Sequence, residues 1–340
     1  MKTPARIWVG AALIVISLLV LPFALAYAGT AWVRIANFAI LYVMLALGLN
    51  IVVGFAGLLD LGYIAFYAVG AYTYALLASP QFGLHLPFWM ILPIGAAVAA
   101  FFGVILGAPT LKLRGDYLAI VTLGFGEIIR VFLNNMSRPV NITNGPQGIT
   151  GIDPFAFGGF RFSTPIMYYY VLLAVALAII VVNLRLQNSR IGRAWEAIRE
   201  DEIAARAMGI DTRNLKLLAF AMGASFGGIA GGMFSAIQGF ISPESFVLVE
   251  SIMVVSMVVL GGMGNIWGVI LGALLLSFVP EILRWTVTPV QEALFGRMVV
   301  EPEVIRMLLF GLALVLVMLF RPAGLLPSAV RKRELAEHVA

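Results

Sequence analysis

The sequence predicts an all-α, polytopic membrane protein, and both its composition and its apolar runs support that fold class. Of the 340 residues, 61% are hydrophobic and only 11% are charged. A soluble domain averages about 45–50% apolar and about 25% charged residues, so too little polar side chain is present here to cover a water-soluble globule. Apolar runs of about 20 residues, long enough to cross a bilayer core as helices, recur along the whole chain.

Ten such runs predict about ten transmembrane helices within a single transmembrane domain, residues 1–340. They cover residues 7–26, 33–53, 58–79, 87–108, 115–135, 165–186, 215–239, 245–262, 264–285 and 304–320. Glycines interrupt the third and fifth runs, and little more than GGMG separates the eighth from the ninth, so we expect some helices to be broken. The first run is longer than the core of a signal peptide, about 7–15 residues, and is interpreted as a spanning helix.

The distribution of basic residues predicts the orientation of these helices. With the N-terminus in the cytoplasm, 15 of the 22 Lys and Arg residues fall on the cytoplasmic side, as the positive-inside rule requires. Both termini are then cytoplasmic. The polar segment at about 136–164 becomes an outer loop, and the charged segment at about 187–214 becomes a cytoplasmic loop.

Small residues recur at four-residue spacing in three of the runs. The sets are Gly223, Gly227 and Gly231 beside Gly228 and Gly232; Gly264, Gly268 and Gly272; and Ala100 with Gly103 and Gly107. Four residues is just over one helical turn, so each set forms a groove where another backbone can approach closely. We expect tight helix packing at these faces; faces that slide during a conformational cycle are the alternative.

The residues on which most enzymes and metal sites depend are scarce. The chain has no cysteine, and no lysine follows a glycine, which excludes thiolate sites and a Walker A loop. His85 and His338 lie in an outer turn and in the C-terminal tail, so they do not form a metal cluster. We therefore expect no enzymatic activity, no cofactor and no metal. The net charge of +5 follows membrane topology and does not indicate nucleic-acid binding.

A charged insert, GRAWEAIREDEIAARAMGIDTRN, interrupts the apolar chain at residues 192–214. Its apolar residues recur at helical spacing, at Trp195, Ile198, Ala205 and Met208 or Gly209. This spacing predicts a short amphipathic helix over residues 195–209. Gly209 can end that helix in a left-handed conformation, and Asp211 or Thr212 can begin the next one.

Two surfaces could cover the insert, the lipid headgroups or a cytoplasmic protein. Its charges are mixed, with four acids between Glu196 and Glu202, and such a face fits anionic lipid poorly. Docking into a groove on a cytoplasmic partner fits better.

Within the insert, EIAARAMG resembles the cytoplasmic loop of ABC importer permeases, whose motif reads Glu-Ala-Ala, three residues, then Gly. Ala204, Ala205 and Gly209 keep that spacing. Glu202 stands one position early, Ile203 occupies the place of the acid, and the proline-containing end of the motif is missing. In that family the loop inserts into the ATPase subunit as a coupling helix.

The resemblance extends over nearly the whole chain and is most specific to branched-chain amino acid ABC transporter permeases. The similar segments include GLLDLGYIAFYAVGAYTYALL, DYLAIVTLGFGEIIRVFLNN, NITNGPQGITGI, VVLGGMGNIWGVILGA and RPAGLL, in that order. Within that family the chain is similar to the longer of the two partner permeases, which has the extended outer loop.

The resemblance implies a bacterial inner-membrane importer with several partners. A second permease subunit would complete the pathway as a heterodimer, two ATP-binding subunits would dock in the cytoplasm, and a periplasmic substrate-binding protein would deliver the solute. Membrane lipid would surround the spans.

The resemblance also implies three sets of functional residues. The ATPase-coupling set is Trp195, Ile198, Arg199, Glu202, Ala204, Ala205, Arg206, Met208 and Gly209. Within it, Arg199, Glu202 and Arg206 are expected to make the polar contacts. The outer gate that meets the binding protein is expected at Asn144, Gly145 and Pro146. Pathway residues are expected at Gly57, Gly62 and Phe66, for which helix packing is the alternative.

Three other functions remain open from the sequence. The same permease class is associated with urea, short amides and other amino acids. A self-sufficient secondary carrier or channel is a different class, and the scarcity of charges near mid-membrane disfavours it. A membrane enzyme is disfavoured by the missing catalytic residues.

Overall fold

The computed structural model describes residues 16–27, 29–111, 113, 115–157, 160–295, 301, 304–305, 308, 311–312, 315–316, 319–321 and 324–327. The start of the first predicted span, much of the tenth and both termini lie outside these residues. The helices are α1 (Ile16–Tyr27), α2 (Thr30–Leu49), α3 (Ile64–Leu77), α4 (Phe88–Thr110), α5 (Asp116–Asn135), α6 (Pro165–Gln187), α7 (Arg190–Glu200), α8 (Glu202–Ala207), α9 (Thr212–Gln238), α10 (Leu248–Gly261) and α11 (Ile266–Phe295).

The described chain confirms the all-α, polytopic prediction. Five helical segments are long and apolar enough to cross a membrane: Thr30–Phe55, Phe88–Thr110, Pro165–Gln187, Thr212–Gln238 and Pro243–Gly261. Shorter apolar helices cover Ile16–Tyr27, Ile64–Leu77 and Ile266–Val279. These helices follow the predicted runs to within a few residues, except that α1 is described only from Ile16, α3 begins late and α11 continues to Phe295, ten residues beyond the predicted end.

Short elements complete the fold. The last turn of the second span, Asn50–Phe55, is a π-helix, and 3-10 turns cover Gly145–Gln147 and Pro243–Ser245. Strand β1 (Ile149–Thr150) pairs antiparallel with β4 (Phe240–Ile241), and β2 (Ala156–Phe157) pairs with β3 (Phe160–Arg161).

The two ends of the helical bundle carry different structures. One end, named the loop end, carries segment 136–164, whose strand β1 pairs with β4 directly after α9. The other end, named the hook end, carries α7 and α8. Residues 324–327 also lie at the hook end, because Leu325 and Leu326 donate backbone N–H groups to carbonyls at the end of α10.

Close helix packing at the predicted small-residue faces is confirmed, with α9 at the centre. A Cβ on Gly231 would lie 2.0 Å from the Tyr67 carbonyl oxygen of α3. On a neighbouring face, a Cβ on Gly228 would lie 2.8 Å from the Gly95 carbonyl oxygen of α4. A side chain at either position would collide with backbone, so glycine is what allows α3 and α4 to pack against α9.

The third predicted span is broken, as its glycines suggested, whereas the fifth is the continuous helix α5. Residues 56–63, named the break, are not helical and lead into α3. Other elements supply partners for its backbone. Leu61 N–H donates to Thr122 Oγ1 of α5 over 2.9 Å, and the Leu61 carbonyl accepts from Ser251 Oγ of α10 over 2.6 Å. Such bonds allow irregular backbone to lie inside a bundle.

Candidate functional site

The hook, residues 190–209, is built from two short helices whose ends are fixed by side-chain caps. Ser189 Oγ accepts from Gly192 N–H over 3.1 Å at the start of α7. Asp201 Oδ1 accepts from Ile203 N–H over 2.7 Å and from Ala204 N–H over 3.1 Å at the start of α8. These are the acceptors that satisfy the otherwise unpaired N–H groups at helix N-termini.

The prediction of one amphipathic helix over residues 195–209 was wrong. Asp201 adopts an extended backbone conformation, ends α7 and caps α8, so the hook bends in the middle. The two predicted boundaries after α8 are confirmed: Gly209 has a φ of +84°, and Asp211 caps α9 by accepting from Asn214 N–H over 3.1 Å.

The bend divides the predicted coupling residues into an inward and an outward group. Trp195, Ile198 and Ala205 are buried, and the Trp195 indole N–H donates to the Leu215 carbonyl of α9 over 2.8 Å. These three residues therefore seat the hook on the bundle.

Arg199 also points inward, towards the break. Its guanidinium donates to the carbonyl oxygen of Gly54, which lies in the π-helical turn that ends the second span. The side-chain stem packs on Gly57, where an added Cβ would lie 2.7 Å from Arg199 Cγ. Arg199 and Gly57 line a cleft of about 290 Å³ that lies between the hook and the break. The hook is thus joined directly to the discontinuity in the spanning helices.

Glu202 and Lys216 form a largely enclosed ion pair at the base of the hook. Glu202 Oε1 lies 2.8 Å from Lys216 Nζ, and both side chains are largely buried. The same carboxylate oxygen lies 3.1 Å from Nη2 of Arg206, whose side chain is 66% exposed. Glu202 thus anchors α8 to the start of α9, and Arg206 is the member of the predicted polar set that faces outward.

The outward surface of the hook is apolar at its tip. The side chain of Met208 is 84% exposed and that of Ile203 is 69% exposed, and Ala204 and Gly209 are exposed beside them. Ile203 was not among the predicted coupling residues. A β-branched apolar residue two positions after a capping aspartate was the signal that could have found it, because the first turn of a surface helix is normally polar.

At the loop end, the predicted gate residues form a tightly bonded turn. Asn144 has a φ of +61°, its N–H donates to Asn141 Oδ1 over 2.8 Å, and its side-chain amide donates to the Gly148 carbonyl over 2.9 Å. Gly145 is buried against the end of α5, where a Cβ would lie 2.9 Å from the Asn134 carbonyl oxygen. Pro146 is exposed. The contact of this turn with a binding protein stays a prediction.

The three predicted pathway residues occupy different surroundings. Gly57 lines the hook cleft described above. Gly62 packs on α5, because a Cβ there would lie 1.9 Å from the Thr122 carbonyl oxygen, and Phe66 is fully buried beside Phe125. Within this chain Gly62 and Phe66 contribute to helix packing. Among the described residues, no group of three or more His, Cys, Asp or Glu side chains could hold a metal ion.

Comparison with known proteins decides the family. The profile of the family described as branched-chain amino acid transport system / permease component matches residues 31–318. The chain belongs to this family. The family's members are transport-system components, and the multi-pass architecture described above agrees with that membership.

Several relatives carry the same description. The chain is 45% identical over 319 residues to the high-affinity branched-chain amino acid transport system permease protein LivM of Escherichia coli, covering 87% of this chain and 70% of the relative. It is 30% identical to the probable LivM of Methanocaldococcus jannaschii, covering 77% of this chain and 74% of the relative. The permease protein LivH of E. coli is 24% identical over 69% of this chain and 79% of its own length. No solved structure matches the chain.

Proposed function

We propose that this permease family member is a translocation subunit of a binding-protein-dependent ABC importer for branched-chain amino acids. ATP hydrolysis takes place in separate subunits that dock on the hook. The names of the LivM relatives support the substrate, which they give as branched-chain amino acids rather than urea or amides.

The exposed apolar tip of the hook is the observation that carries the proposal. Ile203 and Met208 project from a segment whose other large apolar residues, Ile191, Trp195 and Ile198, pack against the bundle. Exposed apolar side chains rimmed by charge are typical of protein contacts. Lipid is a poor occupant, because Glu200 and Asp201 sit next to the tip and anionic headgroups repel carboxylates.

The inner side of the hook supports a mechanism for coupling. A displacement of the tip by the ATPase moves α7, and Arg199 passes that movement to Gly54 and the break. The break lacks the continuous backbone bonding of a helix, so it can change conformation at a lower cost than the helices around it. The proposed role of the hook is therefore to transmit force and to perform no chemistry.

The remaining partners follow from the same proposal. A second permease subunit completes the pathway, and the naming of both LivM and LivH as permease proteins of one kind of transport system in E. coli supports this arrangement. A periplasmic binding protein meets the loop end, where Pro146 is exposed. The chain then lies in the bacterial inner membrane with the hook and both termini in the cytoplasm.

Reconstitution tests the proposal. The full-length chain is placed in proteoliposomes with the second permease, the ATPase subunits and the binding protein encoded beside it. We expect leucine uptake that requires ATP and stops when the ATPase subunits are omitted. Uptake driven by an ion gradient without those subunits would instead identify a secondary carrier, and uptake of urea but not leucine would overturn the substrate assignment.

Replacing Ile203 with aspartate is expected to weaken docking of the ATPase. A carboxylate at the apolar contact would lose its hydration on docking, and we expect at least a tenfold loss of affinity between the permease pair and the ATPase subunits. Pull-down of the ATPase by the tagged full-length chain measures this change. Glu196→Ala, at an exposed position of α7, serves as the control. Unchanged docking of Ile203→Asp would exclude the tip from the contact.

A further inference from the structure

A small apolar pocket lies where the break meets α5 and the start of α10. Leu61, Ile64, Leu123, Gly126, Phe246 and Leu248 line it, together with Glu127. Its free volume is about 10 Å³, room for about one water molecule. Glu127 is the twelfth residue of α5, so the pocket lies roughly 16 Å from the hook end of that helix, about half-way along it.

A cluster of three charged side chains borders the pocket. Arg130 Nε lies 2.7 Å from Glu127 Oε2 on α5, and Arg130 Nη1 lies 3.3 Å from Glu244 Oε1 in the turn before α10. The side chains of Glu127, Arg130 and Glu244 are 40%, 26% and 62% exposed, so a small solute can reach all three. Ionisable groups on spanning helices are costly, which makes them candidates for functional sites.

The chemistry of the cluster and the pocket matches an aliphatic amino acid. A guanidinium binds carboxylates through its planar fork, and glutamates bind an ammonium group. The six apolar lining residues match a short branched side chain in chemistry, but the pocket has room for only about one water molecule and must widen to admit that side chain. We propose that these groups form the substrate subsite within the permease. Arg130 takes the substrate carboxylate, Glu127 and Glu244 take its ammonium, and the aliphatic side chain occupies the pocket once it has widened.

The geometry also indicates how the subsite opens. The Arg130–Glu244 contact at 3.3 Å is longer than the Arg130–Glu127 contact, and it joins α5 to the turn before α10. A zwitterion that inserts between Arg130 and Glu244 replaces one ion pair by two and brings no net charge. Substrate binding therefore breaks the Arg130–Glu244 contact, which joins the two sides of the pocket.

The break connects this subsite to the hook. Leu61 belongs to the pocket, and its backbone is bonded to Thr122 and Ser251. On the pocket side, Gly62 and Gly126 allow the backbones of the break and α5 to touch. A Cβ on Gly126 would lie 3.3 Å from Gly62 Cα. At its other end the break is held by Arg199. A movement of the hook would therefore widen or close the pocket. In transporters, discontinuous helices commonly form the substrate site.

Equilibrium binding tests the subsite separately from coupling. The inference rests on the proposed function only for the identity of the solute. The complex of this chain, the second permease and the ATPase subunits is placed in nanodiscs without binding protein, and radiolabelled L-leucine is the probe. We expect specific binding that leucinamide and 4-methylpentanoate, which lack the carboxylate and the ammonium respectively, displace at least tenfold less well than leucine.

Arg130→Gln is expected to weaken leucine binding at least tenfold and to remove the discrimination against leucinamide. Arg161→Gln, at an exposed arginine in segment 136–164, is the control and retains both properties. Removing a purely structural ion pair would not change the preference for leucine over leucinamide. Co-elution of the subunits verifies that the complex assembles. Unchanged discrimination in Arg130→Gln, or no leucine binding by the wild-type complex, would overturn the subsite. Absence of ATP-driven uptake would instead overturn the proposed function.

Leu123→Ala tests the pocket itself. Shortening this lining residue is expected to raise the affinity for phenylalanine relative to leucine at least fivefold, because the pocket gains room for a larger side chain. Ile128→Ala on the exposed face of α5 is the control and keeps the wild-type ratio. An unchanged ratio in Leu123→Ala would exclude the pocket as the site of the aliphatic group.

Discussion

Arg199→Ala is expected to reduce ATP-driven uptake at least tenfold while the ATPase subunits remain bound and hydrolyse ATP. The side chain supplies a charge-assisted hydrogen bond to the Gly54 carbonyl and covers Gly57. Such a bond is worth about 1.5–3 kcal/mol, and about 1.4 kcal/mol corresponds to a tenfold change. Its removal detaches the break from the hook, so movement of the hook no longer reaches the spanning helices.

A matched variant separates this effect from a general disturbance of the hook. Arg193 lies on the same helix and is exposed, and its guanidinium contacts the Asn188 carbonyl next to α7. Arg193→Ala is expected to retain most uptake. The measurement is the ratio of leucine transported to ATP hydrolysed in proteoliposomes. A normal ratio in Arg199→Ala would refute transmission through this contact.

Gly231→Ala is expected to destabilise the isolated full-length chain strongly, although it adds only one methyl group. The new Cβ would lie 2.0 Å from the Tyr67 carbonyl oxygen and 2.8 Å from the Ala71 nitrogen, both of which are backbone atoms of α3. Backbone cannot move aside as a flexible side chain can, so α3 and α9 must separate. Overpacking of this kind costs about 1–3 kcal/mol.

The control for this variant is a glycine with open space. A Cβ on Gly124 of α5 meets nothing within 4 Å. Gly124→Ala should leave stability unchanged or raise it by about 1 kcal/mol, because alanine favours helix more than glycine does. Thermal unfolding of the purified chain in detergent compares the two. Equal melting temperatures for Gly231→Ala and wild type would mean that α3 and α9 are not in backbone contact.

Spanning helices could be predicted from the sequence because their signal is local. The observed α4 and α6 fall within two residues of the predicted runs, since twenty apolar residues in a row have few alternatives in lipid. The close approach of α9 to its neighbours could also be predicted, because glycines at four-residue spacing determine a smooth helix face without knowledge of the partner.

The break and its bonds could not be predicted in the same way. Hydropathy does not distinguish a helix from irregular backbone that is satisfied by distant side chains. The partners of Leu61, which are Thr122 and Ser251, are 61 and 190 positions away.

The same limit applies to the functional residues. Resemblance singled out the segment that forms the hook, but not which of its residues face inward, because that depends on the bend at Asp201. The approach of Arg130 to Glu244 spans 114 positions and leaves no local signal in the sequence.

Crosslinking from the tip of the hook tests the central claim most directly. The chain has no native cysteine, so Met208→Cys introduces a single reactive thiol at an exposed position, and Ile198→Cys provides a buried control. In the assembled complex, a thiol-reactive photocrosslinker at position 208 is expected to capture the ATPase subunit, with a yield that changes on ATP binding. Attachment to lipid alone, with no ATPase adduct in the presence or absence of nucleotide, would contradict the account.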